Sequence, residues 1–358
     1  MTFDDYSREA ARWGRSLTRA LGQAAAMQPV PVGVSPREAL LRDGPCTLYR
    51  YQPVQERAAP APPALIVYSL VNRPYILDLK PRRSMIRALL EAGLDVYLLD
   101  WGEPEPLDRF TGLDDYINGY LHRAVMHVRG RHAQAPVPLI GICQGGTLSL
   151  CYAALHPESL AGLVTMVTPV DFHTPDNQLW RLSRHIDVEA LVDAHGNIPA
   201  EQLNQFFLGL KPFRLLSQRY LDMAELADQP EALADFLRME QWMYDSPAQA
   251  GEAFRQFAGE LYQQNRLIRG ELRLGGHAVE LSRIRAPLLN IWAEGDHLVP
   301  EASARALGEA CGSSDYSEIG FPGGHLSPFI SGRAQRDLYP RISRWLLDHA
   351  PRTRKQPA

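Results

Sequence analysis

The sequence has little cysteine, almost no lysine and no long apolar run. Four cysteines in 358 residues do not make a disulfide framework, and no CxxC pair or Cys/His group has the spacing of a zinc site. Their scarcity points to a reducing, cytoplasmic setting. Lys80, Lys211 and Lys355 are the only lysines, yet 37 basic residues stand against 41 acidic ones, for a formal charge of −4. That balance excludes a basic nucleic-acid footprint and a polybasic membrane anchor. The arginine bias is what codon usage in a GC-rich genome produces. The longest apolar stretches, such as LAGLVTMVTPV from Leu160, fall short of the roughly 20 residues that cross a bilayer, so no membrane span is expected. The first residues, MTFDDYSREA, are acidic and no apolar run follows them, which argues against a signal peptide.

What is present is an ordinary globular proportion of 45% hydrophobic residues, in a length that allows one large α/β domain or two smaller ones. From Asp4 to Met27, Tyr6, Ala10, Trp13, Leu17 and Leu21 recur at helical spacing until Pro29 and Pro31. This stripe serves either a helix lying on its own domain or one docking another chain. A Pro/Ala stretch from Ala58 to Pro63 reads as a linker or edge connection. Short apolar runs then alternate with helical patterns: Ala64–Leu70, Asp95–Trp101, Pro138–Cys143, Leu163–Pro169, Pro287–Asp296 and Ser317–Phe321. Unbroken apolar strands between helices mean a mainly parallel sheet covered on both faces.

Between about Thr174 and Arg285 the alternation gives way to helical patterns dense in aromatics: Trp180, Phe206, Phe207, Phe213, Trp242, Phe254, Phe257 and Tyr262. This segment reads as a cap over the C-terminal edge of the sheet, and its aromatics as the cap's own core rather than a ligand cage. The expected organisation is an amphipathic helix (1–30), a core in two parts (31–173 and 286–350) around the cap (174–285), and a tail (351–358).

The sharpest chemical signal is Gly141-Ile142-Cys143-Gln144-Gly145-Gly146, where a strand ends and a helix begins. It has the form of the G-x-S-x-G nucleophile elbow with sulfur in place of oxygen. The nucleophile's backbone is strained there, so the positions two before and two after it leave no space for side chains. The following helix points its N-terminus at the sulfur and favours the thiolate. The acid and histidine belong, in that order, at the ends of later strands. Asp296 follows one such strand and His325, in FPGGH, follows the next. His325 is the expected base and Asp296 the carboxylate that fixes its tautomer. His297 reads as a surface neighbour, Asp171 as the alternative acid, and Cys46, Cys151 and Cys311 as inert. The expected oxyanion hole uses the backbone N–H groups of Gln144 and Val71.

The chain resembles the polyhydroxyalkanoate synthases, specifically the catalytic subunit of the short, class III type. GICQGGTLSL, LVTMVTPVDFHTPDN, LVNRPYILDL, DVYLLDWG, LDDYINGY, YDSPAQAGEAFRQF, DHLVP and FPGGH carry the resemblance almost end to end. It implies an α/β-hydrolase fold with a helical cap, and Cys143, His325 and Asp296 as nucleophile, base and acid. It implies polymerisation of (R)-3-hydroxyacyl-CoA, chiefly 3-hydroxybutyryl-CoA, into a polyester with release of CoA, at the surface of cytoplasmic granules. No cofactor is implied, because the CoA thioester is the substrate. A second, non-catalytic subunit is implied, with the chain in a homodimer or hetero-oligomer and the N-terminal helix as the candidate contact. A length of 358 residues leaves no room for the N-terminal domain of longer, self-sufficient synthases. The proline in Leu326-Ser327-Pro328-Phe329 departs from the family pattern. Two rival readings are a cysteine α/β-hydrolase acting on lactones or thioesters, and a non-catalytic granule-coat protein. The first usually lacks a long cap, and the complete Cys143/Asp296/His325 set speaks against the second.

Overall fold

The computed structural model describes residues 2–27, 29–55, 61–211 and 218–351. Part of the Pro/Ala stretch, Phe213 and nearly all of the tail lie outside them. Eight strands form the central sheet: β1 (Arg37–Asp43), β2 (Cys46–Tyr51), β3 (Pro63–Val67), β4 (Asp95–Asp100), β5 (Pro138–Ile142), β6 (Gly162–Met166), β7 (Leu288–Ala293) and β8 (Tyr316–Phe321). Their order is β1-β2-β4-β3-β5-β6-β7-β8. Pairing is antiparallel across β1–β2 and β2–β4 and parallel across the rest. Strand order reverses around β3, and in such sheets ligands bind at the carboxyl ends of the strands beside that switch.

The strands β3, β5, β6 and β7 bury every residue, which is why they read as continuous apolar runs. Successive residues still serve opposite faces. Leu65 and Val67 pack with Tyr97 and Leu139 on one side, while Ala64 and Ile66 pack with Val96 and Ile140 on the other. Helices α1 (Phe3–Met27), α2 (Met85–Ala92), α3 (His122–Arg131) and α4 (Gln144–Leu155) precede the insertion. The insertion between β6 and β7 carries α5 (Gln178–Ser183), α6 (Val188–His195), α7 (Ala200–Gly209), α8 (Arg219–Glu225), α9 (Pro230–Tyr244) and α10 (Gly251–Gln256), and α11 (Tyr339–Asp348) follows β8. On one face lie α3 and α4, on the other α2 and α11. Local chemistry sets the ends. The Ser84 hydroxyl accepts the Arg87 N–H at 2.9 Å to start α2, and Gly93, at φ 106°, stops it.

Three features differ from the sequence reading. The β1–β2 hairpin lies outside the strands read from the sequence. Its two-residue turn is Gly44-Pro45, between paired Asp43 and Cys46, and β1 is largely exposed and has no apolar run. Next, the insertion is not all cap. Phe257, Leu261, Leu267 and Leu272 share a core with Leu148 and Cys151 of α4, so its last third is built against the flank of the sheet. Only the helices before it have cores of their own, such as Val188, Val192, Ile198 and Leu203. Finally, α1 packs through Leu17, Ala20, Ala24 and Met27 against Met223, Leu233 and Leu237 of α8 and α9. Small alanines permit that close approach, and they turn Tyr6, Trp13 and Leu21 outward.

One buried hydrogen bond ties this scaffold to the loop after β3. Trp101, just past β4, donates its indole N–H to the Tyr68 carbonyl at 2.8 Å. Trp101→Phe removes the donor and leaves a buried carbonyl short of its partner, at a cost of about 1–3 kcal/mol. The expected outcome is a lower denaturant midpoint at unchanged slope, measured by urea unfolding.

Candidate active site

Cys143 occupies the sharp turn between β5 and α4 with φ 52° and ψ −121°. A non-glycine residue in this region costs about 1–3 kcal/mol, so its surroundings must hold it. The Cys143 N–H donates to the Met166 carbonyl at 2.9 Å, and its own carbonyl accepts the Gly146 N–H at 2.9 Å. The glycines are required by contact. A Cβ on Gly145 would lie 2.2 Å from the Tyr68 carbonyl oxygen, and one on Gly141 would lie 2.6 Å from the Gly146 Cα. A Cβ on Gly146 would meet the Thr168 hydroxyl at 1.9 Å. With no side-chain cap on α4, its first-turn N–H groups and its dipole favour negative charge beside the sulfur.

The turn after β7 carries Asp296 and the loop after β8 carries His325. The imidazole Nδ1 bonds the Asp296 Oδ2 at 2.7 Å. The other carboxylate oxygen accepts the N–H groups of Leu298 at 2.8 Å and Val299 at 3.0 Å. The Asp296 side chain is fully buried and that of His325 is 10% exposed, so the carboxylate is fixed by three bonds out of water. With Nδ1 committed, Nε2 is the nitrogen left for the sulfur. Burial by itself pushes the His325 pKa down. The charge of Asp296, then that of Cys143, and hydrogen bonds to both outweigh it and raise the pKa to about 10.

The other candidates stand apart from this constellation. Asp171 accepts the backbone N–H of His173 at 2.9 Å and the Asn265 amide at 2.8 Å, so it ties the base of the insertion and is not a partner of His325. His297 is half-buried and lines the cavity described below, rather than lying on the outer surface. Burial raises the Cys151 thiol to about 12 and pushes Cys46 and Cys311 up as well. The Val71 N–H is already engaged, donating to the Ser69 hydroxyl at 3.1 Å, and that hydroxyl lies 3.4 Å from the Gln144 side-chain carbonyl.

Cys143, Gln144, Val71 and His325 open on a cavity of about 430 Å³. Leu179, Phe207, Trp242 and Met243 wall it from the insertion, and Leu326, Phe329 and Ile330 from the loop after β8. This is a mostly apolar chamber with a few polar groups in its walls, Asn72, Asn204 and Lys211 among them, the form of a small-molecule site. Sequence reasoning missed these walls, because aromatic density alone does not separate an insertion's own core from a chamber lining. Pro328 sits in the first turn of a short helix, Ser327–Ile330, a position that tolerates proline. The departure at this position is therefore absorbed locally. Among the described residues, no group of three or more His, Cys, Asp or Glu is placed to hold a metal ion, and no helix is long and apolar enough to cross a membrane.

The poly(3-hydroxyalkanoate) polymerase subunit PhaC of Allochromatium vinosum is 48% identical over 344 residues, covering 96% of this chain and 97% of that protein. The chain belongs to the poly(3-hydroxyalkanoate) polymerase family. The polymerase subunit of Thiocystis violacea is 45% identical, with 97% of this chain and 98% of that protein covered. That of a Synechocystis strain is 47% identical, with 89% and 86% covered. A family model described as alpha/beta hydrolase fold matches residues 74–330. Solved structures agree on the fold alone. A thermophilic esterase from Thermogutta terrifontis has a TM-score of 0.53 at 16% identity, covering 88% of this chain and 100% of its own. A monoacylglycerol lipase from Paleococcus ferrophilus has a TM-score of 0.51 at 16% identity, covering 80% and 95%. This member of the polymerase family thus has a hydrolase scaffold, with sulfur at the elbow.

Two outcomes are expected for this family member. Gly145→Ala drives a methyl group into the Tyr68 carbonyl and should abolish soluble, cooperatively folding protein, or leave a Cys143 whose rate of alkylation by iodoacetamide has changed severalfold. The raised pKa of His325 also makes stability depend on pH. Its contribution is fully present below the ordinary value of 6.5 and is lost as pH rises through about 10. The difference in Tm between the protein and His325→Gln should be largest near pH 6 and shrink by pH 10.

Proposed function

We propose that this chain is the catalytic subunit of a class III polymerase that joins (R)-3-hydroxyacyl units from CoA thioesters into polyester and releases CoA. The observation that carries the reading is a strained cysteine at an elbow, backed by the His325–Asp296 pair, at the end of an apolar chamber. The Cys143 sulfur attacks the thioester carbonyl carbon, the new C–S bond forms, and CoA leaves with the proton drawn through His325. The 3-hydroxyl of the next unit then attacks the acyl-cysteine. Its O–C bond forms as the C–S bond to Cys143 breaks, and its proton passes by way of His325 to the sulfur. Negative charge on the carbonyl oxygen is met by the Gln144 N–H at the start of α4. Val71 takes part when its N–H turns from Ser69 to that oxygen.

Sulfur suits this sequence of steps. Exchange between two thioesters is near energetic balance, so loading is reversible, whereas transfer to an alcohol gives the more stable oxoester. Chiefly 3-hydroxybutyryl donors, CoA as substrate rather than cofactor, and a granule surface as the place of action belong to the same reading. A second, non-catalytic subunit belongs to it too. Its contact is assigned to the outer half of α1, where Phe3 is 85% and Tyr6 61% exposed.

The decisive measurement supplies 3-hydroxybutyryl-CoA, with and without the second subunit, and follows both CoA and insoluble polymer. The protein should yield both, and Cys143→Ala neither, a loss of at least about a thousandfold. Soluble 3-hydroxybutyrate without polymer would establish a hydrolase instead, and undiminished CoA release by Cys143→Ala would remove Cys143 from the reaction.

A further inference from the structure

Tyr262 ends the helical stretch that returns from the insertion to the core, and it lines the same chamber as Cys143 and His325. Its ring is held edge-on by Phe172, with centroids 4.8 Å apart, and lies against Phe257 at 6.0 Å. Its backbone is held as well, since the carbonyl bonds the His173 imidazole at 3.0 Å. That imidazole in turn stacks on Trp180 at 4.7 Å. The phenol therefore has little freedom to turn away. Yet its hydroxyl has no hydrogen-bond partner among the described residues and is not among the buried polar atoms sealed from solvent. Buried polar groups are normally paired, and a rigid one without a partner on a residue that lines a chamber is a group placed for a ligand atom. Burial, and then the nearby charges of Cys143 and Asp296, push its pKa far above the ordinary phenol value. It therefore keeps its proton and acts as a donor throughout the working range.

We propose that Tyr262 is the residue that recognises the 3-hydroxyl of the hydroxyacyl unit, donating a hydrogen bond to that oxygen and presenting it between the acyl-cysteine carbon and His325. This rests on the polymerase reading above and deepens it. A thioester carbonyl needs only the elbow and its N–H donors, and nothing in that part of the site distinguishes a 3-hydroxyacyl group from a plain acyl group. The 3-hydroxyl is the one extra polar atom of this substrate class, and in a mostly apolar chamber it needs a polar group held beside the sulfur and His325 to meet it. An alcohol oxygen can accept the Tyr262 proton on one lone pair while giving its own proton to His325, so the two roles do not compete. Tyr262 is a specificity and positioning residue here, and it exchanges no proton.

The test compares Tyr262→Phe with the unaltered protein on two donors, 3-hydroxybutyryl-CoA and butyryl-CoA, the second lacking only the 3-hydroxyl. Single-turnover CoA release from butyryl-CoA should be unchanged within twofold, as should the rate of Cys143 alkylation by iodoacetamide. Steady-state CoA release from 3-hydroxybutyryl-CoA should fall roughly tenfold, the worth of one well-placed hydrogen bond. Tyr262→His, which keeps a donor on an aromatic ring, provides a second variant should the phenylalanine protein fold poorly, and should recover part of the loss. Equal losses on both donors, or none on either, would overturn the assignment. Absence of polymer from the unaltered protein would instead overturn the polymerase reading itself.

Discussion

One backbone conformation organises this molecule. Cys143 is held at a positive φ that side-chain-bearing residues avoid, and that strain has to be offset by the structure around it. The restraints come from the two neighbouring strands. Met166, at the end of β6, takes the Cys143 N–H. Tyr68, just past β3, presses its carbonyl against Gly145, while Thr168 presses against Gly146. These contacts explain why the elbow is a run of glycines and why strand order must reverse where it does. With β3 and β6 flanking β5, the backbone beyond both strands closes on the turn from either side. The sulfur is thereby presented at the mouth of the sheet while its main chain is locked.

The electrostatics are arranged on the same scaffold. Asp296 accepts two backbone N–H groups besides the His325 imidazole, so both oxygens of a carboxylate that no water reaches are hydrogen-bonded. Burial without these bonds would neutralise a carboxylate. Its charge then holds a proton on His325 and fixes which ring nitrogen faces the sulfur. Negative charge on sulfur meets that proton on one side and the uncapped start of α4 on the other.

The sequence was legible where chemistry demands a local signature. The elbow needs glycines at fixed offsets from Cys143, and Asp296 and His325 sit where strands end, so chain order singled out two side chains that are hydrogen-bonded to each other. Five strands were legible because they are buried on both faces along nearly all their length, and the half-exposed β8 by its place before His325. The β1–β2 hairpin was not, since an edge strand such as Arg37–Asp43 carries no apolar run to mark it. The chamber was not legible either. Phe257 packs into the core, Phe207 lines the cavity and Trp242 does both, and nothing in local pattern separates them. That distinction arises only when the insertion folds back on the sheet. Helix α1 shows the same limit, because Ala20 and Ala24 find a partner surface in α8 and α9 that outweighs its larger apolar residues.

The apolar chamber has its own chemical necessity if the acyl-cysteine passes to an alcohol. Water is the competing nucleophile, it is abundant, and a thioester is susceptible to it. A sulfur at the bottom of walls such as Leu179, Phe207 and Met243 meets little bulk solvent. Exclusion alone is not enough, because the pathway that admits substrate also admits water. Orientation supplies the rest. Holding a nucleophile in line with the carbonyl is worth effective concentrations of roughly 10⁵–10⁸ M in well-organised systems. Even a small part of that range exceeds the concentration of water in water. A hydrolase scaffold therefore becomes a transferase without new catalytic groups, once its chamber fixes the alcohol more firmly than it tolerates water.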